Sequence, residues 1–565
     1  MKRIFRSITL FLSACMLLLA ISGCGSSGDK TTGTTGSQAG SGETATAVKE
    51  ATALSMFTFS EGVKDVISKS DVWKTIMNNT GVNVELEAIA GMQADEKRSV
   101  MIASGEYPDI LDRIDERFID AGALLPLDDL IDQYGPNIKK AWGDSLNKLR
   151  SPKDGKIYFI GSPKNRPEEI AEPGPALMIQ YDVLEKTGYP QIKTLDDVFN
   201  VLKEYTSKYK DIDGKSFIPW GIWADSWGYN HTVNNPALWT NGFTDDSDAY
   251  VDQKTYDVTY FNATDHFKDY LKFLNKLYKN NLLDKNGFIT KIDEFNSQVA
   301  NGRVLAAIYH TALISESEAA LRQAGMPERC YARFPIIKDS SIVDRSQVYC
   351  ESYDTGMGIT VDCKDPAKAI QFIDYLVSVE GNVLLNWGIE GIHYDVVDGK
   401  RVQKEEVSKA WNSNPDYRWQ QGINCLTWWP QYNGAIVLDD GDYASPFNVN
   451  TTYASYDSET KKVLDQYKVK NWGQLFDTSG HSTPYGFAWT IPIESGSAAE
   501  LANTKANELR HIMVGEIVMS PDDGSFVNKW DTFKKKLYDD CKIADWEKAM
   551  SKSIKTRLKL WKIIN

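Results

Sequence analysis

The sequence lacks an excess of positive charge. Its formal net charge is -14 at pH 7, with 63 Lys and Arg residues against 77 Asp and Glu residues. A nucleic-acid-binding surface needs clustered cations to neutralise phosphates, and a body lying on anionic lipid needs them as well. We therefore expect no nucleic-acid partner and no electrostatic attachment of the body to a membrane surface.

Apolar runs long enough to cross a bilayer are also lacking. The one uncharged apolar run, Ile8–Ile21, follows the positively charged residues Lys2, Arg3 and Arg6. A transmembrane helix needs about 20 apolar residues, whereas a short run behind a basic start is typical of a signal peptide. The amino terminus is therefore predicted to direct export.

The predicted signal peptide ends at a cysteine. Ile21-Ser22-Gly23-Cys24 matches the lipobox of bacterial lipoproteins, in which cleavage leaves Cys24 to carry a diacylglyceryl group. The alternative is an ordinary secretory signal followed by a chance cysteine. We predict that Cys24 is lipidated and holds the protein at the outer face of the cell membrane. The membrane would then be contacted through the lipid alone.

The residues after Cys24 predict a tether followed by a body of several segments. A stretch rich in Gly, Ser, Thr and Ala continues to about residue 48 and cannot bury a core. The remaining chain is too long for one core, which predicts at least two lobes. The predicted organisation is a signal peptide at 1–23, a tether at 24–50, the first part of lobe 1 at 51–165, the first part of lobe 2 at 166–335, a crossover with return to lobe 1 at 336–390, and completion of lobe 2 with carboxyl-terminal helices at 391–565.

Cysteines are few in the body and have no CxxC spacing. Beyond the signal peptide and Cys24 five remain, namely Cys330, Cys350, Cys363, Cys425 and Cys541. An odd number without close pairs does not form a simple disulfide framework or a zinc ribbon. At most two bridges are possible, and buried free thiols are an equally good interpretation.

Motifs for metal, cofactor or catalytic chemistry are missing. The six histidines form no HExxH pair, and no GxSxG nucleophile motif occurs. Asp213-Gly214-Lys215-Ser216 imitates the end of a phosphate-binding loop, but Tyr209 occupies the place of the required first glycine. We therefore expect no cofactor, no metal site and no enzymatic activity.

Strands alternate with helices along the first part of the body. Leu54–Phe59, Val82–Ala88 and Asp109–Leu111 are predicted strands, with helices between them. This alternation predicts an α/β chain with mostly parallel sheets flanked by helices. Ligands of such sheets bind beyond the carboxyl ends of the strands, so Glu61 and Asp112 become candidate ligand contacts.

Tryptophan is the informative surplus among the residues that are present. The chain has 16, and several stand in polar, loop-like sequence. Sugar rings have apolar faces that flat aromatic side chains cover, while polar side chains bond the rim hydroxyls. Each tryptophan has core packing as its alternative role. The preferred candidates for stacking on a sugar are Trp223, Trp227, Trp239, Trp428 and Trp429.

Further polar candidates follow other predicted strands. His310 ends the predicted strand Val304–Tyr309, and Glu351 lies where the chain should recross between lobes. With Glu61 and Asp112 they form the predicted polar contacts to a ligand. The alternative for each is an exposed polar residue with no role in binding.

Several segments resemble one family in the same order along the chain. Ala103-Ser104-Gly105-Glu106-Tyr107-Pro108-Asp109-Ile110 resembles an element of the extracellular solute-binding lipoproteins of carbohydrate ABC transporters, of the LplA/LipO-like type. Leu125–Asp128, Asp154–Tyr158, Tyr181–Leu184 and Trp387–Tyr394 fit as well. The resemblance implies a two-lobed periplasmic-binding-protein-like fold (type II) with a hinge between the lobes, an oligosaccharide in the cleft, and ABC permease subunits as partners of a monomer.

Two departures from the family pattern bear on the ligand. Gln180 stands where relatives often have an arginine before Asp-Trp, and Asp211–Lys215 lacks the calcium loop of alginate-type binders. An acidic body without that arginine favours a neutral oligosaccharide over a uronate. Three other functions stay open, namely a secreted lipoprotein glycoside hydrolase, a binder of a non-sugar solute such as a peptide, and a sensor that presents its ligand to a membrane kinase.

Overall fold

The computed structural model describes residues 51–60, 63, 65–89, 93–163, 169–225, 227–347, 355–414, 416–426, 428–432, 436–477 and 483–564. Three predicted functional residues, Cys24, Glu61 and Glu351, lie outside these ranges, as does Cys350.

The described residues form an α/β structure. The strands are β1 Thr52–Thr58, β2 Val82–Ala88, β3 Ile110–Asp112, β4 Pro175–Gln180, β5 Asp211–Ile212, β6 Lys215–Ser216, β7 Ile218–Trp220, β8 Ala249–Val251, β9 Val258–Tyr260, β10 Val304–His310, β11 Tyr331–Phe334, β12 Gly358–Ile359, β13 Tyr394–Val397 and β14 Lys400–Gln403. The helices are α1 Asp71–Thr80, α2 Ala94–Ser104, α3 Glu116–Asp120, α4 Asp128–Tyr134, α5 Pro136–Trp142, α6 Tyr181–Lys186, α7 Leu195–Lys208, α8 Asn235–Thr240, α9 Asp265–Lys279, α10 Ile292–Ala300, α11 Thr311–Gln323, α12 Pro366–Val377, α13 Val379–Asn386, α14 Glu405–Ser413, α15 Tyr417–Gln421, α16 Val449–Ser455, α17 Ser458–Tyr467, α18 Ala498–Val518, α19 Asp523–Asp539 and α20 Ile543–Leu560.

The first sheet has the strand order β12-β3-β1-β2. β1 pairs in parallel with β2 and with β3, with Thr58 opposite Asp112 at the carboxyl ends, and β12 is antiparallel to β3. Local signals set the neighbouring helices, because the Ser70 side chain caps α1 and Gly81 ends it in the left-handed conformation. The sheet therefore aligns the ends of β1 and β3 at one edge.

The second sheet has the order β11-β4-β10-β7 and is mixed. β4 runs antiparallel to both β10 and β11, and β10 is parallel to β7. The prediction of mostly parallel strands holds for the first sheet but not for this one. Alternation of strands and helices indicates an α/β chain. It does not determine whether two paired strands are parallel or antiparallel when they lie far apart in sequence, as β4 and β11 do.

Two large apolar cores define two lobes. One contains Leu54 and Ile110 of the first sheet, and the other contains Leu177 and Leu305 of the second. Between them the chain crosses before Leu177, returns after Ile336 and crosses again after residue 429. The lobes are therefore discontinuous in sequence, as in a protein whose halves meet at a hinge.

The third crossing lies later than the sequence indicated. The segment after residue 390 is expected to complete lobe 2, yet Val407, Ile423, Leu426 and Trp429 pack in the first-lobe core. Their apolar side chains fill space beside α1 and α12, and no sequence pattern separates them from the later helices. The predicted carboxyl-terminal helices include α19 and α20, which are separated by a break before Ile543.

Two further findings concern the described part of the chain. No helix in it combines the length and the apolar character that a bilayer crossing requires. The four cysteines that it contains, Cys330, Cys363, Cys425 and Cys541, are free thiols, and Cys330 is fully buried.

Candidate ligand-binding cleft

Asp112 lies at the carboxyl end of β3 and is fully buried. Its Oδ2 accepts a hydrogen bond from the Thr58 hydroxyl at 2.7 Å, and the same hydroxyl accepts one from the backbone N–H of Ser60. Burial raises the pKa of Asp112 to about 6, although the Thr58 hydrogen bond opposes the rise. The structure thus brings Asp112 to the predicted edge, where it faces a cavity of about 60 Å³.

Trp428 and Trp429 lie beside this edge. They belong to the segment after residue 390 that packs on the first lobe. Trp429 is buried and packs edge-on against Phe372 and at a tilt against Trp73. Trp428 is 60% exposed, and the Arg113 guanidinium lies 4.3 Å from its ring centroid. Of the two, Trp428 offers a free aromatic face, whereas Trp429 has a packing role in this conformation.

A second aromatic cluster stands beyond the end of β7 in the second lobe. Trp223 is buried, and the rings of Trp227 and Trp223 are 4.5 Å apart and nearly perpendicular. Trp227 also meets the His231 ring edge-on at 5.0 Å and is 37% exposed. A Cβ atom on Gly228 would lie 2.4 Å from the Trp223 ring, so only glycine fits there. Trp223 thus supports Trp227, which presents the exposed surface.

His310 ends β10 beside the first crossing segment. Its ring nitrogen would lie 3.2 Å from a Cβ atom on Gly174, and Gln347 bonds the Gly174 N–H at 2.9 Å. Burial lowers the pKa of His310 and lowers that of His231 to about 4, and the two imidazoles are near enough for their charges to interact. Both rings are therefore neutral at physiological pH.

Trp239 is placed apart from the other candidates. It lies in α8, is 2% exposed and belongs to the second-lobe core. Its role in binding stays a prediction, as do those of Trp223 and Trp429, which are buried too. Gln180 is also buried in this lobe, where it donates to the Gly302 carbonyl and accepts a hydrogen bond from Arg329.

An interlobe cavity of about 450 Å³ is lined by first-lobe residues that follow Asp112 in the chain. Asp115, Glu116 and Tyr158 line it from the first lobe, and Trp489 and Arg557 line it from the carboxyl-terminal part of the second. Burial raises the pKa of Glu116, while Lys153 and Arg557 oppose that rise. The two lobes therefore share one cleft, and each wall contributes both polar and aromatic side chains.

A polar chamber of about 480 Å³ adjoins this cavity within the second lobe and shares Trp489 with it. The lining residues that define the polar chamber include asparagines, aspartates, one arginine and one histidine, namely Asn230, His231, Asn235, Asp245, Asp246, Asp248, Asn503, Asn507 and Arg510. Nδ1 of His231 and Oδ1 of Asn235, Asn503 and Asn507 are buried without a hydrogen-bond partner. Buried polar atoms are normally satisfied, so this set is a candidate for hydrogen bonds to a ligand.

Sequence reasoning did not choose Trp489 as a contact, and it missed the polar chamber. Trp489 is 52% exposed and stacks on Phe487 with ring centroids 5.6 Å apart. No periodicity marks residues 483–497, and the other chamber walls come from residues 230–249 and from α18. The surplus of tryptophan in polar sequence was the only signal of a sugar site, and it did not indicate where the site lies.

A two-lobed α/β body, three chain crossings and a cavity lined by both lobes make this cleft a candidate binding site for a polar organic solute. No cluster of three or more metal-ligating side chains occurs in the described ranges. The chain belongs to the family of bacterial extracellular solute-binding proteins, whose profile matches residues 72–392.

Relatives agree with this assignment. FusA, a fructooligosaccharide ABC transporter substrate-binding protein of Streptococcus pneumoniae, is 27% identical over 245 residues, which are 41% of this chain and 44% of FusA. Lipoprotein LipO of Bacillus subtilis is 23% identical over 359 residues, 60% of this chain and 67% of LipO. An HMO-binding, ABC-transporter-associated solute-binding protein from Bifidobacterium longum infantis has a TM-score of 0.66 at 15% identity, over 90% of this chain and 99% of that chain. The predicted family and the two-lobed fold are confirmed.

Proposed function

We propose that the protein captures an oligosaccharide in its interlobe cleft and delivers it to an ABC permease. The observation that carries the proposal is the position of Trp489, half exposed at the junction of the interlobe cavity and the polar chamber. A flat indole beside unsatisfied amide oxygens suits a sugar, which has an apolar face and a hydroxyl rim. FusA and the Bifidobacterium protein, which are named for binding a fructooligosaccharide and HMO, support the same class of ligand.

The mechanism requires closure and no covalent chemistry. Trp428 on the first lobe and Trp227 on the second each present an exposed face near a crossing of the chain. A sugar that contacts both walls binds the closed form better than the open form, and only this difference in affinity can shift the population. The permease then distinguishes the closed, loaded monomer from the open one.

Calorimetry tests the sugar site directly. Thermal-shift screening against fructo-, xylo-, manno- and malto-oligosaccharides identifies a binding probe, which is then titrated into wild type and Trp489→Ala. About half of the Trp489 side chain is exposed and can be covered by a sugar ring. At ~25 cal/mol per Å² this burial contributes about 2 kcal/mol of binding free energy, so Trp489→Ala should weaken Kd roughly 30-fold.

Phe447→Ala is the matched control, because Phe447 is 51% exposed and lines none of the described cavities in the cleft. Its affinity for the probe should equal that of wild type. Equal affinity in Trp489→Ala and wild type would remove Trp489 from the site, and the absence of binding to every oligosaccharide would overturn the proposed ligand class.

Attachment to the membrane is proposed to depend on Cys24 and the tether at 24–50. Two acyl chains give stable anchoring where a single chain gives only marginal binding. Fractionation of cells that express Cys24→Ala should therefore find the protein outside the membrane fraction. Retention of the variant in the membrane fraction would contradict a lipid anchor at this position.

A further inference from the structure

The polar chamber differs from the rest of the cleft in the kind of polar group that it presents. Its carboxylates are Asp245, Asp246 and Asp248, and its one cation among the described lining residues is Arg510. The Arg510 guanidinium bonds Asp248 and donates to Asn230 Oδ1 at 3.2 Å. The charge of the arginine is thus paired with Asp248, while its Nε is buried without a hydrogen-bond partner, and the chamber has an excess of negative charge.

The uncharged side chains of the chamber add further hydrogen-bond acceptors to its carboxylates. Asn235 is 4% exposed, and its Oδ1 has no partner, which is also true of Oδ1 in Asn503 and in Asn507. A buried acceptor without a donor costs about 1–3 kcal/mol. A ligand that brings several hydroxyl donors relieves this cost, whereas a ligand that brings further acceptors does not.

Asp246 is mostly ionised and Asp245 about half ionised at pH 7, because burial raises the pKa of Asp246 to about 6 and that of Asp245 to about 7. Asp246 is held as an acceptor by the Ala488 N–H at 2.8 Å and by the Tyr485 hydroxyl at 2.9 Å. A second carboxylate brought by a ligand would meet like charge in a site of low dielectric constant, which disfavours binding.

We infer that the polar chamber selects uncharged, hydroxyl-rich sugar units and rejects units that carry a carboxylate. The geometry supplies acceptors for hydroxyl donors, and the one cation among the described lining residues is already ion-paired with Asp248. This inference rests on the proposed function, because it names the class of oligosaccharide that the cleft takes. It extends that proposal from sugar binding to discrimination by charge.

The test compares ligands that differ in charge on one skeleton. Oligogalacturonides and their fully methyl-esterified forms of equal length are titrated into the full mature chain by calorimetry, alongside neutral fructo-, xylo-, manno- and malto-oligosaccharides. We expect the tightest neutral probe to bind at least tenfold more tightly than any oligogalacturonide, and esterification to strengthen binding. Asp245→Asn should reduce this ratio at least threefold.

Asp531→Asn is the matched control, because it removes the same formal charge from the exposed face of α19, outside the chamber. It should leave the ratio unchanged. Oligogalacturonides that bind as tightly as every neutral probe would overturn the inference and leave the proposed function standing. If neither class binds, the proposed function fails and the inference falls with it. A ratio that changes equally in Asp531→Asn and Asp245→Asn would overturn the assignment to the chamber.

Discussion

Arg333 in β11 occupies a buried position where one substitution should be costly. Its Nη2 lies 2.6 Å from Oε2 of Glu318, with the two side chains 7% and 3% exposed. Its Nη1 donates to the Tyr331 carbonyl at 2.8 Å, and its Nε lies 3.4 Å from Glu172, in the first crossing segment. Arg333→Met would keep most of the volume and leave two carboxylates without their cation.

The expected loss of unfolding free energy is about 3–5 kcal/mol, the usual cost of breaking a buried pair from one side. Two unit charges about 4 Å apart interact by about 4 kcal/mol at an effective dielectric constant of 20, which gives the same order. The exposed pair Lys462–Glu185, at 2.7 Å on the same lobe, provides a control. Lys462→Met should lose less than about 1 kcal/mol.

The loss should also depend on pH. Burial raises the pKa of Glu172, and the Arg333 charge opposes that rise. Without Arg333 the folded-state pKa of Glu172 rises further above its unfolded value. A carboxyl with a raised folded pKa holds its proton more tightly when folded, so the folded state weakens as pH increases through that range. Arg333→Met should therefore be more destabilised at pH 8 than at pH 5.

Urea unfolding followed by circular dichroism and by tryptophan fluorescence measures both effects, and two probes reveal whether the lobes unfold separately. Replacing Glu318 by leucine in the Arg333→Met background should recover part of the loss, because a fully apolar replacement leaves one less buried charge. A loss equal to that of Lys462→Met, or a greater loss at pH 5 than at pH 8, would refute the reasoning.

Three further changes test other parts of the fold. Gly228→Ala should destabilise the protein by about 1–3 kcal/mol in urea unfolding, because its Cβ would clash with Trp223; wild-type stability would show that the ring shifts freely. The stability of Asp112→Asn relative to wild type should increase by up to about 3 kcal/mol as pH rises from 4 to 7. The reason is that wild type must ionise Asp112, whose pKa rises from its ordinary value of 3.8 to about 6 on folding. A stability difference independent of pH would contradict this origin. Lys542→Gly should stabilise by about 1 kcal/mol in thermal unfolding, because φ is +60° at Lys542; a lower melting temperature would argue against strain there.

The sequence predicted local structure well where local signals decide it. β2 has the predicted limits Val82–Ala88, because its alternating residues suit a half-buried strand. The Thr194 side chain caps α7 and Asp197 completes the capping box, which is a purely local signal. The position of Asp112 at a sheet edge also followed from strand order, since the carboxyl ends of parallel strands meet.

The candidate site was less predictable, because exposure depends on contacts between distant segments. Trp223 and Trp227 are four residues apart, yet one is buried and the other is partly exposed. Trp428 and Trp429 are neighbours with opposite exposure, and Phe372 and Trp73 decide which of them packs. The polar chamber joins residues that are far apart in the chain, so composition could indicate a sugar site without locating it.

The uneven sharing of the chain between the two cores has a consequence for the order of folding. The first-lobe core ends with Trp429, whereas the second-lobe core uses residues from Leu177 to Leu558. A ribosome adds residues from the amino end, so every segment of the first lobe exists before α18, α19 and α20 do. The second lobe must therefore keep apolar strand surface uncovered until almost the last residue emerges. Deletion of the final helix would expose the core of that lobe and leave the first sheet with all of its strands.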